Sequence, residues 1–329
     1  MSKAADATES YSADPERLPD LELRKLRDLD LAKGSDPDRP AYMASASGVV
    51  RRGDFTYVIG DDEVHLAVFR TSTSEPGELR RVLPGELPDD EGARKSEKPD
   101  LESLTALPPF DGSPYGGLLG LGSGSSDSRD KGFYWTFGAD GSLEGEPRTI
   151  DFHPVYERLR GEVGEINIEG AAVFGERLWL FHRGNEGDAP NAVAEFALDD
   201  LSASLRGDLV VDPDELAALR TYELGDLDGV PLCFSDASAL FDRLVVFTAS
   251  AEGDEDGEIY GSVVGTIDAD GTVHRLRTID RRWKVEGVHA AVDTGVIDLV
   301  FVCDQDDPGE PSPLLAASMP IEKRYEHSD

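Results

Sequence analysis

Five times along this chain a polar residue heads a short apolar run, a tight turn breaks it, and a second apolar run follows. The clearest copy runs Asn167-Ile168-Glu169-Gly170-Ala171-Ala172-Val173, turns at 174–177, and continues as Leu178-Trp179-Leu180-Phe181. Short apolar runs bounded by Gly, Asp and Asn turns predict strands rather than helices. The first copy starts at Ser47 and predicts strands at 47–50, 55–59, 64–70 and 79–83. The second predicts strands at 101–107, 117–121 and 132–137, and the third adds one at 192–197. The fourth predicts 235–240, 244–247 and 259–267, and the fifth 285–292, 296–302 and 314–319. One helix start stands out: Asp212 can cap, Pro213 suits the first helical position and Glu215 the third, which predicts a short helix over 212–219.

Aligning Ser47, Glu102, Glu169, Asp236 and Glu286 gives spacings of 55, 67, 67 and 50 residues. That is a loose repeat, longer than a bare propeller blade and so carrying long loops. A four-stranded unit cannot bury both of its faces alone, and radial packing around an axis solves this. The expected fold is all-β, a five-bladed β-propeller. The fifth copy lacks a fourth strand, and the Leu-punctuated stretch at 22–31 can supply it and close the ring. Six blades is the alternative, if 200–228 hides a degenerate one. The expected organisation is a disordered acidic tail at 1–18, one propeller domain at 19–322, and a short tail at 323–329.

The first strand of a propeller blade is innermost, so the five leading residues converge at the axial channel. In the fourth copy either Ser235 or Asp236 can take that place, because the turn length differs by one residue. Carboxylates so close cannot all remain ionised unless a cation sits among them. An oxygen-only set, Ser47, Glu102, Glu169, Ser235 or Asp236, and Glu286, suits calcium, which takes six to eight oxygens in loose geometry. The bland alternative is a water-filled acidic channel. The loops after the second strands return to the same face and carry Asp61, Asp62, Arg129, His182, Arg183 and Asn185. Concave mouths with convergent polar groups are the usual small-molecule sites. Arg129 and Arg183 suit phosphate or carboxylate, or else pair with neighbouring acids. His289 lies on an inner strand and reads as a packed residue. The Gly-rich 120–124 leads into another strand, so it is no dinucleotide fingerprint.

Composition narrows the partners. The net charge is −35, with 67 acidic against 32 basic residues and only eight Lys among the latter. Such a surface repels nucleic acid and anionic membrane. It suits a protein kept soluble in concentrated salt, where screening removes self-repulsion. No apolar run approaches the roughly 18 residues of a membrane helix. The polar N-terminus lacks a signal-peptide core, so a cytoplasmic protein is expected. Cys233 and Cys303 lie in or beside apolar runs and read as buried free thiols.

The leading-residue order Ser47, Glu102, Glu169, Ser235 or Asp236, Glu286 resembles that of the calcium-activated nucleotidases, or apyrases. Residues 55–62 with their double Asp, 177–183 ending in Arg183, and 249–252 through 270–271 to 284–287 are also similar to stretches of that family. The chain likewise resembles uncharacterised bacterial propellers. The apyrase resemblance implies a five-bladed propeller with axial calcium and hydrolysis of phosphoanhydride or phosphoester bonds. Arg129 and Arg183 would then hold phosphate, with Asp61 or Asp62 as base. Two readings stay open: a binding propeller whose metal is mainly structural, and a calcium-dependent hydrolase of phosphate or, at the same mouth, ester or lactone substrates. The oligomeric state is not legible.

Overall fold

The computed structural model describes residues 9–12 (backbone), 20–33, 40–88, 90–184, 189–212, 216–240, 244–253, 259–304 and 308–321. They form five sheets, antiparallel throughout except at one added edge strand. Blade one is Ala46–Arg52, Phe55–Gly60, His65–Arg70 and Glu78–Arg81; blade two is Leu101–Leu107, Gly117–Gly122, Lys131–Phe137 and Leu143–Asp151. Blade three is Ile168–Phe174, Arg177–His182, Asn191–Ala197 and Ala218–Glu223; blade four is Val230–Leu240, Leu244–Glu252, Ile259–Asp268 and Val273–Thr278. Blade five is Val285–Asp293, Val296–Cys303 and Pro313–Pro320, and Arg24–Asp28 pairs with the last of these as its outer strand. The inner strands touch in the cyclic order one, two, three, four, five, one. The architecture is thus a five-bladed β-propeller closed by an N-terminal strand.

Each pair of neighbouring blades shares its own apolar core. Val49 packs toward blade five with Val58, Val300 and Val302, while the next residue, Val50, packs toward blade two with Leu104, Leu118 and Phe133. Ala171 and Ala172 divide in the same way between blades two and four. Successive strand residues point to opposite faces, and here both faces are buried. That explains why the strands read as unbroken apolar runs. Leu29 and Leu31, beside the closing strand, are buried in the core between blades one and five.

The helices depart from expectation. At 212–219 the cap signature meets no described helix: 213–215 lie outside the described residues, and Ala218–Glu223 is the outer strand of blade three. Of the helix expected over 212–219, Ala218 and Leu219 belong to this strand and the cap itself falls largely outside the described residues; the structure has no sixth blade at 200–228 among the described residues. The helices are α1 (Glu91–Glu97), α2 (His153–Val163) and α3 (Leu198–Arg206). Val155, Tyr156 and Leu159 of α2 join Leu201 and Leu205 of α3 in covering the core between blades two and three. Helix α1 lies in the connection from blade one to blade two and is capped by Asp90, whose side chain accepts the Ala93 N–H. Backbone pairing also adds Glu9–Ser12, parallel, to the outer edge of blade three. The remainder of the tail expected at 1–18 is outside the described residues, apart from this strand, and so is 323–329.

Candidate functional site

All five inner strands carry the same irregularity near their N-termini. The pairing of inner with second strand skips one residue: Ser47 in blade one, Glu102 in blade two, Glu169 in blade three, Ser235 in blade four and Glu286 in blade five. A bulge of this kind leaves one residue unpaired and re-aims its side chain. The five leading positions are therefore equivalent in backbone as well as in spacing, and Ser235 rather than Asp236 belongs to the set.

The residue after each bulge is Gly48, Ser103, Gly170, Asp236 or Gly287. At three of these, glycine allows neighbouring inner strands to approach closely. A Cβ on Gly287 would stand 2.6 Å from the Ser47 carbonyl oxygen, and one on Gly170 2.8 Å from the Ala237 nitrogen. Asp236 instead uses its side chain to tie blade four to blade five. Its Oδ2 accepts the Val288 N–H at 2.7 Å, while its Oδ1 is buried without a hydrogen-bond partner. Burial pushes this carboxyl well above the usual range, against the pull of the Val288 and Ala237 N–H groups. Asp236→Ala orphans the buried Val288 N–H and opens a void, so urea unfolding should register a loss of about 1–3 kcal/mol. An unchanged midpoint would mean that the tie carries no stability.

Ser235 has the companion role. Its Oγ lies 3.1 Å from both Thr248 Oγ1 and the Val285 carbonyl oxygen. Ser250 Oγ lies 3.2 Å from that same carbonyl, and Ser262 Oγ accepts the Val285 N–H. A set of blade-four hydroxyls thus clasps the start of the fifth inner strand.

The three ring glutamates face charged neighbours that arrive from strand ends and loops. Arg183 lies 3.7 Å from Glu169 and 2.8 Å from Glu252; Lys284 lies 3.6 Å from Glu252 and 3.1 Å from Glu286. Asn167 donates to Glu169 at 2.6 Å. The sequence Glu169, Arg183, Glu252, Lys284, Glu286 alternates in sign across blades three to five. Burial raises the Glu169 carboxyl to about 8, with Arg183 opposing and Glu286 reinforcing. Burial also raises Glu286, against Lys284. Glu252 is held low, because Arg183 and Lys284 outweigh its burial.

Between blades one and two stands a second group of three acids and two cations. Oxygen atoms of Asp61, Asp100 and Glu102 lie within 4.8 Å of one another. Lys98 pairs with Asp61 and, at 2.8 Å, with Asp100; Arg129 lies 3.0 Å from Asp100 on its far side. Among the described residues Glu102 has no hydrogen-bond or ion-pair partner, and burial with Glu169, Asp100 and Asp61 raises its carboxyl well above the usual range. Asp61 Oδ1 is buried without a hydrogen-bond partner. Asp100 holds this place in a left-handed backbone conformation, φ 55°, which Asp tolerates better than most residues.

The other expected site residues are placed as follows. Asp62 turns aside to Ser45 and to Arg94 of α1, 3.3 Å away. His182 is buried; its Nδ1 accepts the Asn167 N–H at 3.0 Å, and burial lowers its pKa to about 4, so it is neutral and braces the entry to the third inner strand. Arg129 and Arg183 are both paired with acids. Asn185 lies outside the described residues. Asp100, Lys98, Lys284 and Asn167 escaped the sequence reading. A signal existed: two residues before each bulge stand Ser45, Asp100, Asn167, Cys233 and Lys284, an outer layer of mostly polar side chains.

Fold and mouth together define a β-propeller with a carboxylate-rich axial opening. The chain belongs to a family of unknown function (DUF6929), whose model matches residues 42–319. No curated protein matches it. Among solved structures it is similar to an α-L-arabinofuranosidase from Podospora anserina, 11% identical, with a TM-score of 0.51, over 92% of this chain and 99% of that one. It is also similar to a glutaminyl cyclase from Myxococcus xanthus, 14% identical, with a TM-score of 0.47, over 94% and 100%. At such identity the first likeness speaks to the fold alone. No described helix is long and apolar enough to cross a membrane.

Proposed function

We propose that the channel mouth is a calcium-centred ligand-binding site in which the ion is mainly structural. One observation carries this reading: Asp61, Asp100 and Glu102 crowd their oxygens within 4.8 Å while Lys98 pairs with only the first two, and among the described residues Glu102 has no hydrogen-bond or ion-pair partner. An oxygen-only donor set of this charge fits a hard cation, and its loose arrangement fits calcium better than magnesium. Glu169 and Glu286 would complete the electrostatic setting from the other side of the channel. The ion would supply the positive charge that this group of carboxyls lacks, and the rim would keep polar groups for a small ligand.

The phosphate-hydrolysis alternative draws on Arg129 and Arg183 as phosphate holders. Arg183 is buried between Glu169 and Glu252, and Arg129 is taken up by Asp100. Both guanidinium groups are already paired with carboxylates, which leaves less positive charge for a polyphosphate, while Arg183 Nε is buried without a hydrogen-bond partner. Titration calorimetry with calcium tests the main reading, and it should give one site in wild type and at least about tenfold weaker binding in Glu102→Gln. A melting temperature indifferent to calcium and chelator sinks it. Phosphate release from nucleoside di- or triphosphates with calcium, lost in Arg183→Ala, would promote the hydrolase instead.

A further inference from the structure

The other end of the channel has a cleft of a different character. It lies between the inner strands of blades five and one, has a volume of about 240 Å³, and is lined by Arg51, Arg52, Gly53, His289, Asp298 and Val300 among others. Arg51 stands four residues beyond Ser47 on the same strand, about 13 Å along it. The cleft therefore shares no side chain with the mouth.

Its charge inverts that of the chain. Acidic residues outnumber basic ones by 67 to 32 overall, yet here two arginines face a single aspartate. Arg52 is held in place: it donates to the Tyr115 carbonyl at 2.8 Å and lies 4.6 Å above the Phe137 ring. It contributes field rather than a mobile ligand. Arg51 is different. Its guanidinium is opposed by Asp298, but its Nε is buried without a hydrogen-bond partner. Burying a guanidinium N–H unsatisfied is costly, and an oxyanion is the natural partner for it. His289 is half-buried beside it, and among the described residues its ring nitrogens have no hydrogen-bond partner. Burial and then the charge of Arg51 lower its pKa to about 4. At neutral pH it is an uncharged imidazole that can donate one N–H. Val300, 4% exposed, gives the cleft an apolar wall.

We propose that this cleft binds a small organic monocarboxylate, its oxygens facing Arg51 and His289 and its short carbon body against Val300, with Asp298 as the internal competitor for Arg51. Phosphate suits the site less well, since a dianion has no apolar part to set against that wall and meets Asp298 with greater repulsion.

The test is calorimetric titration of the full-length, calcium-loaded protein with butyrate, acetate and inorganic phosphate. Wild type should bind butyrate more tightly than acetate or phosphate. Arg51→Gln should weaken butyrate binding about tenfold or more, the worth of one charge-assisted hydrogen bond. Asp298→Asn should tighten it, an effect that damaged folding cannot imitate. Calcium binding at the mouth should be unaltered in Arg51→Gln, which also reports that this variant is folded. The proposal falls if wild type takes up none of the three at tens of millimolar, if butyrate binding survives Arg51→Gln, or if Asp298→Asn leaves it unchanged. Phosphate binding more tightly than butyrate would overturn the carboxylate assignment.

Discussion

Stripped of divalent cations, the protein should lose stability steadily as pH rises from about 5 to 8, and calcium should abolish that loss. The sign follows from the ring. Burial raises the Glu169 carboxyl from 4.5 to about 8, and it raises Glu102, Glu286 and Asp236 in the same direction. Between those limits the folded protein holds protons that the unfolded chain has released. Stability is therefore fully present below the unfolded value and declines as pH climbs toward the folded one. For Glu169 alone the ceiling is on the order of 5 kcal/mol, at 1.36 kcal/mol per unit of pKa. A bound cation takes over the role of those protons and flattens the curve. Urea midpoints at pH 5, 6.5 and 8, with calcium and with chelator, provide the measurement. General self-repulsion in a chain of net charge −35 acts with the same sign, so Glu169→Gln is the control. It should remove a large part of the slope in the cation-free protein. Parallel curves with and without calcium would refute the axial site, and a slope untouched by Glu169→Gln would assign the effect to overall charge.

Arg183→Met should be the most damaging single change at the mouth, at about 3–5 kcal/mol, because it leaves carboxylates buried without their partner. Arg183 lies between Glu169 and Glu252 at the end of the second strand of blade three, and both acids approach it from different blades. Its side chain is only 6% exposed, so water cannot replace it. Its guanidinium is held above the usual range, since Glu169, Glu252 and Glu286 together outweigh its burial. The double variant Arg183→Met with Glu252→Gln should recover part of the loss. If the double variant is no more stable than Arg183→Met alone, the coupling across blades three and four is absent. An Arg183→Met protein with wild-type stability would show that the alternating charges contribute no net stability.

The fold was largely readable because propeller blades bury both sheet faces. Strands such as 178–181 and 299–302 thereby become apolar runs separated by conspicuous turns. The closing strand was also readable, since blade five ran out of chain while a Leu-punctuated stretch remained unassigned at 22–31. The helices were less so. Val155, Tyr156 and Leu159, and Leu198, Leu201 and Leu205, have helical spacing, but no side-chain cap marks the start of either helix. At the mouth, the ring residues were legible from spacing. The choice between Ser235 and Asp236 was not, because a bulge is a property of pairing register and leaves no fixed residue type behind. The cations fared similarly. Lys98 and Lys284 become mouth residues only because a short polar helix and a bulge deliver them there.

The closing strand sets an order on assembly. Arg24–Asp28 is among the first segments of the chain, and its partner Pro313–Pro320 is among the last. Apart from Glu9–Ser12 on the outer edge of blade three, every other described strand pairing in the five sheets joins neighbours in sequence. Blades one to four can therefore form as local meanders, whereas the core containing Leu29, Leu31, Val49 and Val302 stays open to water until the final strand arrives. Such a distant pairing is entropically slow. The seam between blades five and one, which also holds the Arg51 cleft, is therefore expected to seal last.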